Sequence, residues 1–252
     1  MSAAELAMML RELKLPAMRD CYEQQAEEAR RESLSFEQYL ESLIRREIEQ
    51  RRFHRTSRWL RESALPLEKT LENFDRSRLP AKVNTQLSTL LEGSFLSRAE
   101  NILAFGNPGS GKTHLLCGLA QELVHIGHRV LFRPCQLLVQ ELLNAKKDLR
   151  LERYLKRLRC YEAILIDDIG YVQQSRDEME VLFTLLADSY ERRSIMITSN
   201  LPFSQWQKIF KDPMTTAAAI DRLVHHSVIL ELNITSFRLE NAKKKQKEEE
   251  ST

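Results

Sequence analysis

The sequence predicts an α/β protein, in which a parallel five-stranded sheet flanked by helices follows a small all-α N-terminal domain. Two observations predict this. Between residues 3 and 65, apolar residues recur at helical spacing without a strand pattern. Beyond residue 100, short β-rich runs alternate with helical stretches, which is typical of a parallel sheet covered by helices. A composition of 42% hydrophobic and 29% charged residues, with a net charge of +2, fits a globular chain.

Composition and patterning argue against several classes of protein. The apolar start MSAAELAMML is interrupted by Glu5 and followed by Arg11 and Lys14, so we expect no secretion signal. No apolar run approaches the ~18 residues that a membrane helix needs, so we expect no membrane partner. The four cysteines are widely spaced without a CxxC pair, which indicates a reducing compartment and thiols that act as small core residues.

The N-terminal domain is predicted to span residues 1–66. A helix can begin after Pro16, and the SFEQ sequence, with Ser35 and Gln38, is a capping box that opens a long third helix. Residues 67–100 are a linker with one helix, which Pro80 introduces. Residues 101–239 form the sheet domain, and residues 240–252 are a charged tail that we expect to be disordered.

The third helix is rich in arginine. Its segment from residue 45 to 61 carries seven arginines against Glu47 and Glu49, a net charge of +5 (7 − 2). The arginines could hold DNA phosphates, face water, or dock a protein partner. We expect Phe53 and Trp59 to be core or partner contacts. The candidate DNA-binding residues here are Arg45, Arg46, Arg51, Arg52, Arg55, Arg58 and Arg61.

The sequence GNPGSGKT, residues 106–113, lies between a β-rich run and a helical run. This is the phosphate-loop pattern, in which backbone N–H groups and a helix N-terminus surround phosphates. Lys112 would reach the β and γ phosphates, and the Thr113 hydroxyl would bind Mg²⁺. The candidate nucleotide-binding residues are Gly106, Asn107, Pro108, Gly109, Ser110, Gly111, Lys112, Thr113 and His114.

Polar residues end the later strands, where ligands bind in open α/β sheets. In ILIDD, Asp167 is the candidate magnesium ligand and Asp168 the candidate group that polarises the attacking water. Asn200 follows the next strand and could bridge this water and the γ-phosphate. Arg222 precedes the last strand and is a candidate arginine finger for a neighbouring subunit, or else part of a surface charge cluster.

The segment between RVLFR and AILIDD is too long for one crossover helix, so we expect an extra helix there. It is partly basic. Its candidate DNA-binding residues are Lys146, Lys147 and Arg150, with a merely solvated helix as the alternative.

GNPGSGKT, ILIDD, TSN and IDRL, in this order, resemble the AAA+ ATPases of the initiator and helicase-loader clade. Within it, LKLPAM, LSFEQYLESLI and LEKTLENFD resemble the IstB-like helpers of insertion-sequence transposition. The resemblance implies an ATP- and Mg²⁺-dependent, bacterial, cytoplasmic protein. It implies an oligomer, either a ring or spiral or a decamer, that holds duplex DNA and recruits and stimulates a cognate transposase.

The resemblance also assigns residues. It implies that Phe74 packs the adenine and that the segment of residues 67–100 lies on the adenine side of the site. Because little chain follows residue 232, we expect the helical lid of larger AAA+ proteins to be reduced or absent, and Arg238 is a candidate second sensor or else a surface residue. Two other functions share the phosphate loop. A small-molecule kinase would need an arginine-bearing lid, and a DnaC-like helicase loader would differ in its N-terminal domain.

Overall fold

A computed structural model describes residues 3–170, 175–202, 205–206, 220–221 and 223–236. The chain divides into two compact units at Arg58 and Trp59. Within the described ranges, none of the helices combines the length and apolar character needed to cross a bilayer.

Three helices build the first unit: α1 (Ala3–Glu12), α2 (Pro16–Glu32) and α3 (Phe36–Ser63), whose last turn and a half belongs to the second unit. Pro16 fits the first turn of α2 because the N–H that it lacks would have no helical partner there. The predicted capping box opens α3: Gln38 N donates to Ser35 Oγ over 3.2 Å, and Ser35 N donates to Gln38 Oε1 over 2.9 Å.

The first unit has a small core and one buried carboxylate. The buried apolar side chains are those of Leu10, Met18 and Leu43. Glu47 is only 4% exposed, and its Oε2 accepts the N–H groups of Ala17 (2.9 Å) and Met18 (3.1 Å) at the start of α2. Its Oε1 accepts Arg51 Nε over 2.8 Å. Glu47 therefore caps α2 and neutralises the positive end of its dipole.

The second unit contains the predicted sheet. Each predicted β-rich run forms a strand. The strands are β1 (Asn101–Gly106), β2 (Val130–Pro134), β3 (Ala163–Ile169), β4 (Ser194–Ser199) and β5 (Ser227–Leu232). Within the part of the chain that the structure describes, the strand order is β2-β3-β4-β1-β5 and the strand pairings are all parallel.

Helices cover both faces of this sheet. They are α4 (Ala81–Leu90), α5 (Ser94–Ser97), α6 (Lys112–His125), α7 (Cys135–Lys147), α8 (Leu151–Leu158) and α9 (Arg176–Ser189), with a 3₁₀ turn at Arg76–Arg78. Alternate strand residues enter opposite cores: Leu103 and Ile164 pack in one cluster, and Ile102 and Leu165 in the other. The extra helix expected between β2 and β3 is α8.

The strand order decides where the polar strand ends meet. Strand β4 lies between β1, which leads into the phosphate loop, and β3, which carries the acid pair. Parallel strands end at the same edge, so the residues that follow β4 lie between the loop and the acids.

Burial of the thiols follows expectation at Cys117 and Cys135, which are buried. The expectation is wrong for Cys160, which is exposed because it lies in the turn before β3, and Cys21 is half-buried. Burial, with the nearby Asp167 carboxylate, raises the pKa of the Cys117 thiol to about 12, so this thiol stays protonated.

Candidate functional site

The phosphate loop joins β1 to α6 through three glycines with positive φ angles, Gly106 (153°), Gly109 (78°) and Gly111 (91°). The space around these glycines also excludes larger side chains. A Cβ on Gly106 would lie 2.3 Å from the Leu232 carbonyl oxygen, and one on Gly111 would lie 2.8 Å from the Phe74 ring. The loop therefore needs glycine both for its backbone turn and for the close approach of its neighbours.

Lys112 is the first residue of α6, and its side chain is 6% exposed. Its Nζ donates to the carbonyl oxygens of Gly106 (2.8 Å) and Asn107 (3.0 Å) and to Asn200 Oδ1 (2.6 Å). The ammonium is thus held inside the loop by oxygens of the loop and of the residue that follows β4. A buried ammonium needs such partners, and charged phosphate oxygens would satisfy it more strongly than carbonyl oxygens do.

Asp167, at the end of β3, accepts two hydroxyl groups on the same carboxylate oxygen. Thr113 Oγ1 donates to Oδ1 over 2.7 Å, and Thr198 Oγ1 donates to Oδ1 over 2.6 Å. Among the residues that the structure describes, none donates a hydrogen bond to Asp167 Oδ2. Thr113 and Asp167, which the sequence assigns to one Mg²⁺, are therefore in direct contact.

A β-bulge places both acids on one site. The β3–β4 register pairs Ile166 with Ile197 but Ile169 with Ser199, so β3 has one extra residue between these pairs. Asp168 lies in this bulge with a φ of 64°, in the left-handed region. Successive strand residues normally point to opposite faces, and the bulge turns Asp168 so that both carboxyl groups line one cavity.

Asn200 links the loop to the acid pair. Its Oδ1 accepts Lys112 Nζ, and its Nδ2 donates to Asp168 Oδ1 over 3.1 Å. Both ends of the amide are therefore oriented by charged partners, which fixes the assignment of its oxygen and nitrogen.

Thr198 is a site residue that the sequence reasoning did not single out. Besides donating to Asp167, its Oγ1 accepts the backbone N–H of Asp168 over 2.7 Å. Its side chain is 1% exposed. The sequence signal was weak, because Thr198 is one of three hydroxyl residues on β4, with Ser194 and Ser199, and the bulge that gives it this role is not visible in the sequence.

The other side of the cavity is formed by residues 69–78. The rings of Phe74 and His114 pack edge to face, with centroids 5.3 Å apart, and His114 Nε2 lies 2.8 Å from the Thr70 carbonyl oxygen. Arg78 Nη2 donates to the Thr235 carbonyl oxygen over 3.0 Å, which ties this segment to the chain after β5. The predicted adenine-side residue Phe74 therefore lies beside the last glycine of the loop.

These groups surround a cavity of about 410 Å³, within the usual size range of small-molecule sites. Its lining includes Phe74, Pro108–Thr113, His114, Asp167, Asp168, Thr198 and Asn200. Ser110 Oγ, in the loop, is buried without a hydrogen-bond partner in the described structure, which leaves a donor for a phosphate oxygen. The residues present thus fit a nucleoside triphosphate, and Thr113 with Asp167 fits Mg²⁺.

Two residues with predicted catalytic roles, Arg222 and Arg238, lie outside the described residues.

The seven arginines of α3 are all exposed, but they are not equivalent. Arg51 is bound to the buried Glu47, and Arg45 donates to Glu41 over 2.9 Å, so each has a structural partner. Phe53 is 65% exposed and is not a core residue, whereas Trp59 is half-buried against a core cluster of the second unit.

The basic segment between β2 and β3 is also exposed in part. Lys146 Nζ lies 2.8 Å from Glu180 Oε2, whereas Lys147 and Arg150 are exposed at the turn between α7 and α8. Apolar residues of α8 face the core, and its basic residues face outward.

Comparison with known proteins identifies the family. The model of the IstB-like ATP-binding proteins matches residues 8–246, nearly the whole chain. The chain belongs to this family. A relative in Sinorhizobium fredii, described as an insertion sequence ATP-binding protein, is 41% identical over 95% of this chain and 80% of its own length. Another, of the insertion sequence IS21 in Pseudomonas aeruginosa, is 36% identical over 95% of this chain and 91% of its own.

Several solved structures share the fold. DnaI superposes with a TM-score of 0.56 at 21% identity, covering 68% of this chain and 95% of DnaI. The DnaC helicase loader gives 0.54 at 16% identity, covering 67% and 97%. AMPPCP-bound DnaA from Aquifex aeolicus gives 0.57 at 21% identity, covering 73% and 56%. This chain therefore has the AAA+ fold that its sequence resemblance implied.

Proposed function

We propose that this IstB-like protein hydrolyses ATP, assembles on duplex DNA in the bacterial cytoplasm, and recruits and stimulates the transposase of its insertion sequence. One observation carries the catalytic part of this proposal. A continuous set of hydrogen bonds joins the phosphate-loop lysine, the asparagine after β4 and the acid pair of β3 in a single cavity.

Lys112 and Thr113 bind the triphosphate. The Lys112 ammonium exchanges the Gly106 and Asn107 carbonyl oxygens for β- and γ-phosphate oxygens, which are stronger charged acceptors. Thr113 and Asp167 hold Mg²⁺, which when bound neutralises charge on the phosphates. Phe74 packs against the base, and the backbone N–H groups of residues 109–113 face the phosphates.

Asp168 and Asn200 orient the attacking water. Asp168 accepts a hydrogen bond from the water and polarises it, and the Asn200 amide bridges the water and the γ-phosphate. The hydrogen bonds of Asn200 with both Lys112 and Asp168 support this role, because the same amide contacts the phosphate-binding lysine and orients the Asp168 carboxylate.

The site is completed by a second copy of the chain. Arg222 reaches the γ-phosphate bound by its neighbour, so that ATP holds adjacent subunits of a ring or spiral together. Assembly therefore depends on the bound nucleotide, and hydrolysis releases the DNA or the protein partner.

Exposed arginines of α3 hold DNA phosphates without reading bases, as do the basic residues at the α7–α8 turn. The N-terminal half of α3 offers a different surface. Phe36 is 90% exposed, and Leu40, Ile44 and Ile48 follow it at four-residue spacing, 43 to 52% exposed. An apolar stripe next to an arginine-rich half suits a helix that contacts both protein and DNA.

Electron microscopy of the full chain with ATP, with and without duplex DNA, tests the proposal. We expect a DNA-enclosing oligomer with ATP, and none for Lys112→Ala. Particles that remain monomeric with ATP and DNA would contradict it.

A helicase loader would share the same site, so a pull-down with the transposase and with the replicative helicase separates the two functions. Selective capture of the helicase would favour the loader.

A further inference from the structure

The turn between α7 and α8 has an unusual residue at its tip. Leu149 has a φ of 55°, and its side chain is 95% exposed. Leu149 N donates to the Lys146 carbonyl oxygen over 3.1 Å, and Arg150 N donates to the Ala145 carbonyl oxygen over 2.7 Å. These two bonds form a Schellman motif, whose left-handed position is usually glycine because other residues are strained there.

Other left-handed positions of the chain follow the usual preference for small or polar residues. Among the residues that the structure describes, the non-glycine residues with positive φ besides Leu149 are Lys14, Ser33, Ala64, Ala99, Asp168 and Glu191. None of these has a large apolar side chain. At the equivalent turn after α6, the left-handed residue is Gly127. The backbone of Leu149 is thus strained and its apolar side chain is exposed to water, and the core contacts of the fold do not include this side chain.

The surroundings of Leu149 are basic. Residues 146–159 contain seven basic residues against Asp148 and Glu152, a net charge of +5 (7 − 2). Lys147, Arg150 and Arg153 are exposed on both sides of the leucine. An apolar tip bordered by cations has the chemistry of the wedges that proteins insert from the minor groove of DNA, where cations meet phosphates and the apolar group separates two base pairs.

We propose that Leu149 enters the minor groove of duplex DNA and partly unstacks one base step, with Lys147, Arg150 and Arg153 on the flanking phosphates. This inference rests on the proposed DNA binding and adds how the duplex is deformed. The gain from burying a leucine side chain is comparable to the cost of unstacking one step, so the wedge changes affinity little. Its signature is distortion of the DNA.

Leu149→Gly is the decisive variant. Glycine suits the left-handed position, so this variant folds at least as well as the original chain and its Tm does not fall. The probe is a duplex that carries 2-aminopurine beside a central TA step, which unstacks easily. With ATP, the full chain raises the 2-aminopurine fluorescence at saturation. We expect Leu149→Gly to lose this rise while its Kd changes by less than about tenfold.

Two controls define the wedge. Leu149→Met keeps an apolar side chain and retains the fluorescence rise. Leu137→Ala removes another exposed leucine, 46% exposed in α7, and also retains it. Equal fluorescence rises for Leu149→Gly and the original chain overturn the inference. So does a loss of ATP-dependent assembly by Leu149→Gly without DNA, because Leu149 would then contact a second copy of the chain.

Failure of the underlying function gives a different result. If the original chain with ATP does not bind the duplex at all, the proposed DNA binding fails and the wedge fails with it. If the chain binds the duplex but no variant changes the fluorescence, only the wedge is wrong.

Discussion

Replacing Thr198 by valine tests how the acid pair is held. Valine keeps the shape of threonine and leaves no cavity, but it removes the hydroxyl that donates to Asp167 and accepts the Asp168 N–H. The left-handed backbone of Asp168 costs about 1–2 kcal/mol, and a hydrogen bond to its N–H contributes about 1 kcal/mol. These terms are of similar size, so without the hydroxyl the bulge loses most of its preference for the conformation that directs Asp168 into the cavity.

The valine variant loses both hydrogen bonds of the hydroxyl, which contribute about 2 kcal/mol together. Since about 1.4 kcal/mol is a factor of ten in rate, we expect Thr198→Val to lower kcat for ATP hydrolysis about 10- to 100-fold. The Kd for ATP should change less than about threefold, because Lys112 and the phosphate loop are intact. Steady-state hydrolysis and equilibrium binding of a fluorescent ATP analogue measure the two quantities. Thr198→Ser keeps the hydroxyl and should recover most of kcat. A valine variant with the original kcat, or a serine variant as slow as valine, would refute the reasoning.

Three further predictions follow from the described contacts. Gly111→Ala brings a Cβ within 2.8 Å of the Phe74 ring and should weaken ATP binding at least about tenfold in an equilibrium titration. Gly127→Ala is the control, because it has similar backbone strain (φ 109°) but no atom within 4 Å of the added Cβ, and it should bind ATP normally. Asp168→Asn should bind ATP and assemble but hydrolyse it slowly, as single-turnover assays would reveal. Asp188→Asn removes the charge partner of the buried Arg193 guanidinium, which lies 2.5 Å away, and should lower the free energy of unfolding by about 3 kcal/mol in urea titrations. The control Glu180→Gln breaks the exposed pair with Lys146 and should lower the free energy of unfolding by less than ~1 kcal/mol.

The Asp188 cluster also gives the sign of a pH effect. Burial opposes ionisation of Asp188, but its hydrogen bond from Arg159 and the charges of Arg193, Arg159 and Arg192 outweigh it, so the pKa is below its usual value. The stability from this carboxylate is therefore present above the usual aspartate pKa of about 3.9 and is lost as the pH falls through the lower folded value. Acid unfolding followed by circular dichroism should begin at a higher pH in Asp188→Asn.

The elements of the fold were predictable because their signals are local. The capping box at Ser35 and the buried run that ends in Asp167 specify helix and strand without any knowledge of the rest of the chain. The strand order was not among these predictions, since it depends on which strands pair. The placement of β4 between β1 and β3 is what brings Asn200 to Lys112.

The candidate site was predictable by residue type but not by arrangement. Motif spacing identified Lys112, Thr113 and Asp167, which the structure brings together. It did not predict the bulge at Asp168, because nothing in ILIDDI marks an extra strand residue, and so the contact with Thr198 was missed. Charge counting likewise treated Arg51 as one of several equivalent arginines, although the buried Glu47 binds it.

The most direct test of the central claim is the equilibrium binding of a fluorescent duplex to the full chain, followed by anisotropy, with ATP and with ADP. If the nucleotide bound at Lys112 controls the affinity for DNA, the chain binds the duplex tightly with ATP and weakly with ADP, and Lys112→Ala binds it weakly with either nucleotide. The same affinity under all of these conditions would contradict the account.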